Sequence, residues 1–339
     1  MKPANKMTDF ADWKRNLARD VLELDSDYDS EDEPEYDADP DMEVLFEDYM
    51  MPAVSAGKID RINHILASFD IDEAMLSEIY GGSTLMCVAA GKGYTEVVKL
   101  LIDYAADVDE TDDKKWTPLM HATANRHEKL AIFLFEEHDA GVFDSTDDDG
   151  FDALYLAARE GLSKLMKSMV ESELDTNHLY GDETPMLIAA RLGHHDVVAE
   201  LVKHVDNIDE CGDDYRTALD HAVESGRYDI VKTLFECDEA PDLEWHDKNH
   251  DNSLLRAVRA FFKNPEYDLR IIKLLLEHGA EVDQKLTDDM SALDIAVSMT
   301  KAGKPWGKEL VDCFKEKSYA AGMPGRKRDR DQYITDLVA

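Results

Sequence analysis

The chain has 339 residues, of which 44% are apolar, and a formal net charge of −38. That length and apolar content are sufficient for one large or two ordinary domains. The charge excludes proteins that bind nucleic acid or anionic lipid through Lys and Arg, because such binding requires neutralisation of phosphates. We therefore predict no direct nucleic-acid partner and no membrane partner, and basic proteins stay open as partners.

No apolar run reaches about 18 residues and no apolar signal core stands near residue 1, so we predict an intracellular protein. The predicted location is the cytoplasm, with the nucleus as the alternative. Residues 326–330 (RKRDR) resemble a nuclear import signal, although the interleaved Asp329 weakens the match. The wide spacing of the cysteines predicts free thiols at Cys87, Cys211, Cys237 and Cys313.

Residues 1–45 form an acidic head, and we predict that it is largely disordered because residues 23–43 contain no Lys or Arg and few apolar side chains. Residues 8–24 are compatible with an amphipathic helix. Two interpretations stay open: a solubilising tail, or an element that holds a basic protein segment or competes for the binding surface of the chain. Ser26 and Ser30 precede acidic residues and are candidate phosphorylation sites.

After the head, seven segments align on a shared pattern of a small polar residue, apolar residues and alanines. Their first positions are separated by 33, 35, 32, 33, 35 and 39 residues. These anchor residues are Thr84, Thr117, Asp152, Thr184, Thr217, Asn252 and Ser291. Each is suited to cap a helix, because its side-chain oxygen can accept a hydrogen bond from a backbone N–H in the first turn.

Each segment continues with a second apolar stripe at helical spacing, as in Val97-Val98, Val197-Val198, Ile230-Val231 and Ile271-Ile272. One unit of this size cannot bury such a stripe alone. Stacked units would share a continuous core. We therefore predict pairs of helices arranged in a repeat array.

The pattern resembles the ankyrin repeat family. Thr117-Pro118-Leu119 and Thr184-Pro185-Met186 match the start of its first helix, and Gly93, Gly161, Gly193 and Gly226 match its turn glycine. The likeness covers roughly residues 50 to 318. It implies an all-α repeat solenoid of helix–turn–helix units with β-hairpin fingers.

The resemblance also predicts domain boundaries. The solenoid is expected at residues 46–319 and a flexible tail at 320–339. Within the solenoid we expect a degenerate N-terminal cap at 46–78, repeats at 79–111, 112–146, 147–178, 179–211, 212–246 and 247–285, and a C-terminal cap at 286–319. Residues 238–251 and 262–268 carry extra length and are the candidate protein-specific loops.

No catalytic, cofactor or metal site is predicted. Gly91-Lys92-Gly93 lacks the spacing of a phosphate-binding loop, and residues 144–150 lack that of a calcium loop. His246 and His250 are four apart, as two ligands on a helix would be, but they stand in a polar segment that is typical of a loop. We therefore expect a protein that is not an enzyme.

In ankyrin proteins the partner contacts the hairpin tips and the exposed side of the first helices. Carried over by alignment, the predicted partner-binding residues are Lys114, Trp116, Asn125, Asp149, Phe151, Arg159, Glu160, Tyr180, Glu183, Arg191, Asp214, Arg216, Glu224, Lys248 and Arg259. Aromatic and Arg side chains are typical anchors of protein interfaces. The alternative is that the aromatic side chains pack against the adjacent hairpin.

These patterns predict a monomeric scaffold or adaptor that binds a protein partner on a concave face. Two other hypotheses stay open. One is an acidic chaperone-like or nuclear factor that binds basic proteins such as histones. The other is an effector or accessory subunit of an enzyme complex.

Overall fold

The structure is a computed structural model. It describes residues 45–69, 71–138, 140–142, 150–172, 174–181, 183–205, 207–264, 266–284 and 290–320. The predicted helix at 8–24, the rest of the head up to residue 44 with Ser26 and Ser30, the site residue Asp149, and the tail from residue 321 lie outside these residues. The chain divides into two compact units, residues 1–156 and residues 157–339.

Within the described residues of unit 1, the regular elements longer than an isolated bridge are helices. It begins with a π-helical turn at Phe46–Met50, in which Phe46 is buried and stacks on Tyr80 at a ring-centroid distance of 5.0 Å. Its α-helices are α1 (Met51–Ser55), α2 (Ile59–Ser68), α3 (Glu73–Leu76), α4 (Leu85–Lys92), α5 (Thr95–Asp103), α6 (Pro118–Ala124), α7 (Glu128–His138) and the first half of α8 (Ala153–Glu160).

Unit 2 contains the second half of α8 and nine further helices within its described residues. They are α9 (Ser163–Glu171), α10 (Pro185–Leu192), α11 (His195–Leu201), α12 (Ala218–Glu224), α13 (Tyr228–Phe235), α14 (Ser253–Lys263), α15 (Leu269–Glu277), α16 (Ala292–Lys301) and α17 (Pro305–Ala320). Within the described residues, no helix is both long and apolar enough to cross a membrane.

The helices of unit 2 form two layers. The first helices of successive repeats contact one another in the order α10, α12, α14 and α16, and the second helices do so in the order α9, α11, α13, α15 and α17. The predicted apolar pairs lie in this core: Val197, Val198, Ile230, Val231, Ile271 and Ile272 are all buried. The predicted sharing of one core between stacked repeats is therefore confirmed within this unit.

All seven anchor residues cap helices as predicted. The side chain of Thr84 accepts a hydrogen bond from the backbone N–H of Cys87 at 3.1 Å, and Asp152 accepts one from Tyr155 at 3.0 Å. Thr217 and Ser291 form capping boxes, in which the Asp three residues later also binds the backbone N–H of the anchor. The remaining anchors that cap through a side-chain oxygen are Thr117, Thr184 and Asn252.

The four predicted turn glycines have left-handed backbone conformations, as expected of the residue that joins two helices of a repeat. At Gly161 the side chain of His194, from the next repeat, also approaches the backbone closely. A Cβ atom there would lie 2.5 Å from Nδ1 of His194, whose Nε2 is 2.8 Å from the carbonyl oxygen of Arg159. The glycine therefore leaves room for a contact that fastens one repeat to the next.

The expected β-hairpin fingers contain isolated bridges in place of strands. Antiparallel bridges join Tyr80 to Ser83, Tyr180 to Glu183 and Cys211 to Thr217. Within the described residues no bridge extends into a strand. Two residues separate the members of each of the first two pairs, which is the spacing of a two-residue turn.

Candidate functional site

The predicted partner-binding residues are divided between the two units. Lys114, Trp116, Asn125 and Phe151 belong to unit 1, and Lys114 and Asn125 are exposed. The ten others that the structure describes belong to unit 2: Arg159, Glu160, Tyr180, Glu183, Arg191, Asp214, Arg216, Glu224, Lys248 and Arg259. Most of the predicted partner-binding residues therefore lie in unit 2.

The two aromatic side chains predicted in unit 1 are half-buried by local packing. The ring of Trp116 lies 5.2 Å from that of His121, whose Nε2 is 2.9 Å from Oδ2 of Asp112. Phe151 stacks on Tyr155 at a centroid distance of 3.9 Å. Both rings therefore have partners within their own repeat.

Tyr180 corrects one expectation. Its side chain was predicted to present an aromatic anchor, but only 4% of it is exposed. The ring packs edge-on against His178, and the backbone exchanges two hydrogen bonds with Glu183. A two-residue turn places the residue before Tyr180 outward and Tyr180 itself inward, so this residue supports the hairpin from within.

The charged residues predicted near this hairpin are joined in ion pairs. Arg191 donates from Nε and Nη2 to the two carboxylate oxygens of Glu183, at 2.7 and 2.6 Å. Arg159 donates from Nε to Glu160 at 3.0 Å. Bidentate pairs of the first kind fix the orientation of both side chains.

A second group of predicted residues surrounds the end of α12. Arg216 donates from Nη1 to Glu224 at 2.9 Å, and its Nε lies 3.3 Å from Asp214. Burial lowers the pKa of the neighbouring His221 below its ordinary value, while Asp214 and Glu183 act in the opposite direction. The structure thus brings together Asp214 and Arg216 from the hairpin and Glu224 from the first helix of one repeat.

The most buried cation of the site is Arg256, which the sequence analysis missed. Its side chain is 6% exposed, and it donates from Nη2 to Asp247 at 2.6 Å. Nε lies 3.5 Å from Asp220 and Nη1 lies 3.5 Å from Glu224. Burial acts against the guanidinium charge, but Asp220, Asp247 and Glu224 together raise the pKa of Arg256.

The sequence did contain a signal for Arg256. It stands four residues after the anchor Asn252, a position at which other repeats carry Val88 or Ile188. Four other repeats have an apolar residue at this position and two have a histidine, His121 or His221, and a charged residue at such a position is rarely buried without a partner. Searching the adjacent hairpin for a carboxylate would have found Asp247, which lies five residues before the anchor.

A cavity of about 570 Å³ in unit 2 is lined by Arg216, Arg256 and Arg259. Arg259, at its edge, donates to Asp251 at 3.0 Å. The charged residues that line the cavity are Arg216, Glu224, Asp251, Arg256, Arg259, Lys263, Glu266 and Asp268. A guanidinium has five N–H donors, so the pairing of Arg259 with Asp251 leaves donors that a ligand can use.

One side of this cavity is formed by Asn264, Glu266, Tyr267 and Asp268. Tyr267 donates its hydroxyl hydrogen to the carbonyl oxygen of Val223 at 2.6 Å, and burial raises the pKa of this tyrosine. Tyr267 belongs to residues 262–268, which were predicted to be a protein-specific loop, and its contact with Val223 places this side chain against the preceding repeat. Within the described residues, no group of three or more His, Cys, Asp or Glu side chains is arranged to hold a metal ion.

Comparison with known proteins supports the repeat assignment. A family model described as ankyrin repeats (3 copies) matches residues 50–147 and 154–249. The Ankyrin repeat and KH domain-containing protein mask-1 of Caenorhabditis elegans is 30% identical over 261 residues, which are 76% of this chain and 9% of that protein. Protein phosphatase 1 regulatory subunit 12A of Mus musculus is 57% identical over 44 residues, which are 13% of this chain and 4% of that protein.

A solved structure shows the same fold. The human ASB11 ankyrin repeat domain superimposes with a TM-score of 0.56 at 16% identity, and the match covers 68% of this chain and 98% of that domain. The chain spans about a tenth or less of the length of the two curated relatives named above. The family match extends over more than half of the 339 residues, and the chain belongs to the ankyrin repeat family.

Proposed function

We propose that this chain is a non-enzymatic scaffold or adaptor that binds a partner protein on the first-helix and hairpin surface of its repeats. The observation that carries the proposal is the cavity of about 570 Å³ in unit 2, with Arg216, Arg256 and Arg259 along its wall. Carboxylates hold all three guanidinium groups in place. Ankyrin repeats in general bind proteins, which supports the same function.

Pre-organised side chains favour recognition because little conformational entropy is lost when a partner binds. The arginine donors that remain after pairing would bind carboxylates or backbone carbonyls of the partner. Exposed Lys263 and half-buried Arg259 are the most accessible cations of the wall. We expect them to contribute contacts with the partner rather than stability.

The proposal is tested by capture with the full-length tagged chain, identification of the captured protein, and a binding titration with that protein after purification. Arg259→Gln combined with Lys263→Gln is expected to weaken binding by about tenfold. The control is Lys232→Gln, since Lys232 lies on the second helix α13, outside the cavity, and pairs with Glu236 at 3.5 Å. Equal binding by both variants and the wild type would show that this cavity is not the binding surface.

The acidic charge supports a second candidate function. A net charge of −38 favours an acidic chaperone-like or nuclear factor that attracts basic proteins such as histones. Such binding would weaken steeply with salt and would be insensitive to the Arg259 and Lys263 substitutions. Binding that tolerates 0.5 M salt and depends on these two residues would instead identify the scaffold function.

A third candidate is an accessory subunit of an enzyme complex. One relative is named a regulatory subunit of protein phosphatase 1, and it is 57% identical over 44 residues. If this candidate is correct, the chain has no activity alone and changes the rate of an enzyme that is captured with it. An assay of the captured enzyme with and without added chain distinguishes this function from a scaffold that leaves the rate unchanged.

A further inference from the structure

A smaller cleft in unit 2 lies between two successive hairpin loops, residues 179–181 and 211–215. Its volume is about 210 Å³. Leu179 and Tyr215 line it, and each has 51% of its surface exposed. Single exposed apolar residues are common, but here two large apolar side chains line the same concave feature.

The position of Tyr215 is fixed by the next hairpin. Tyr215 has φ of +60°, the left-handed conformation that Lys115 and His250 also adopt at the equivalent position of their hairpin turns. The indole Nε1 of Trp245 donates to its carbonyl oxygen at 2.8 Å, and Nζ of Lys248 lies 5.6 Å from its ring centroid. The hydrogen bond from Trp245 therefore holds the backbone of Tyr215, and the ammonium group of Lys248 lies against one face of its exposed ring.

Carboxylates surround the cleft. Asp213 lines it, and Asp214 and Glu210 next to it are exposed. Burial raises the pKa of the cleft residue Cys211, and Glu210, Asp214, Asp220 and Asp209 raise it further. The carboxylates of Glu210, Asp213 and Asp214 at the cleft favour a cationic ligand.

The equivalent loops of unit 1 differ in charge. Ile79 matches Leu179 in the repeat register and is also exposed, at 42%. The following loop, however, carries exposed Lys114 and Lys115 where unit 2 has Asp214 and Tyr215. The chain therefore provides a matched position with an aliphatic tip residue but without the aromatic ring and the second carboxylate.

We propose that this cleft binds an extended segment of a partner protein in which one apolar side chain is flanked by Lys or Arg. The apolar side chain would lie between Leu179 and Tyr215, and the flanking cations would pair with Asp213 and Asp214. This inference rests on the proposed function and specifies the chemistry of the partner. A second copy of the chain is a poor occupant because two chains of charge −38 repel each other.

The probe is a fluorescent peptide, Gly-Arg-Lys-Leu-Arg-Lys-Gly, titrated against the full chain by anisotropy at about 0.15 M salt. Leu179→Ala and Tyr215→Ala are each expected to weaken binding by about fivefold or more, and Asp213→Asn with Asp214→Asn by a similar factor. Ile79→Ala is the matched control and is expected to leave the affinity unchanged. Thermal melts of each variant check that the fold is retained.

Three outcomes overturn the proposal. The first is equal affinity for a peptide in which Ser replaces the central Leu, since that would show attraction by charge alone. The second is an equal effect of Ile79→Ala and Leu179→Ala. The third is tighter peptide binding after Ser replaces Arg326, Lys327, Arg328 and Arg330, because the chain's own basic segment would then be the occupant.

The test also separates this inference from the function on which it rests. Loss of the captured partner on Arg259→Gln with Lys263→Gln, together with no peptide binding, would refute the cleft and leave the scaffold function intact. The opposite pair of results is peptide binding that depends on Leu179 and Tyr215, together with partner binding that is unchanged by Arg259→Gln and Lys263→Gln. It would show that the partner binds at the cleft and not at the cavity.

Discussion

Arg256 donates a hydrogen bond of 2.6 Å to Asp247, and both side chains are almost completely buried. Asp247 also accepts the backbone N–H groups of Asn249 and Asp251, at 2.8 and 3.0 Å. We predict that Arg256→Met destabilises unit 2 by about 3–5 kcal/mol, because it removes the guanidinium that pairs with the buried carboxylates of Asp220 and Asp247. Urea unfolding followed by circular dichroism measures this loss.

The control for Arg256 is an exposed ion pair in the same unit. Arg191→Met removes the bidentate pair with Glu183, in which both side chains are substantially exposed. We expect a loss of no more than about 1 kcal/mol, because water and salt screen the charges. Equal losses for the two substitutions would show that burial does not distinguish them, contrary to our prediction.

Gly161 and Gly181 separate two effects of a left-handed backbone. Both have positive φ, of +74° and +62°, but a Cβ at Gly161 would lie 2.5 Å from His194, while no residue that the structure describes lies within 4 Å of one at Gly181. We predict that Gly181→Ala costs about 1–2 kcal/mol from the backbone alone, and that Gly161→Ala costs an additional 1–3 kcal/mol or so from the displaced imidazole. Thermal and urea unfolding of both variants test the difference, and a smaller loss at Gly161 would contradict it.

The sequence predicted the repeat fold because its determinants are local. A capping oxygen at Thr184 or Asn252 and a glycine at the turn act within one helix pair. Their recurrence about every 33 residues then makes the pattern visible without knowledge of distant contacts.

The site was predicted less well because it depends on contacts between repeats. The burial of Arg256 follows from Asp220 on the preceding first helix and from Asp247 on its own hairpin. The inward position of Tyr180 follows from the turn that pairs it with Glu183. Alignment identifies equivalent positions, but the side chain that each neighbour presents decides which of them face solvent.

The lowered pKa of His221 predicts that the free energy of unfolding depends on pH. Burial holds its pKa in the folded chain below the ordinary value of 6.5. The unfolded chain therefore binds more protons, so this residue's contribution to stability is present above about pH 6.5 and is lost as the pH falls toward the lower folded pKa. We predict that the wild type loses stability relative to His221→Ile between pH 7.5 and pH 5.

Ile is a suitable replacement because Ile188 and Ile295 occupy the equivalent position in other repeats. Urea unfolding of both proteins at several pH values gives the difference in free energy. A difference that is constant with pH, or one that favours the wild type in acid, would show that His221 does not titrate with a lowered pKa.

Substitutions of Trp116 test whether this aromatic side chain of unit 1 contributes to stability or to partner binding. Its ring contacts His121, and its carbonyl oxygen accepts hydrogen bonds from the backbone of Asp112 and from Sγ of Cys87, at 3.1 and 3.4 Å. We predict that Trp116→Ala destabilises the chain by about 1–3 kcal/mol through lost burial and ring contact. Trp116→Phe, which retains a ring, is expected to recover more than half of that loss in a thermal melt. A melt near that of the wild type for Trp116→Ala, together with weaker binding of a captured partner, would instead place the indole in the recognition surface, because a residue that serves only the partner leaves the free energy of unfolding unchanged.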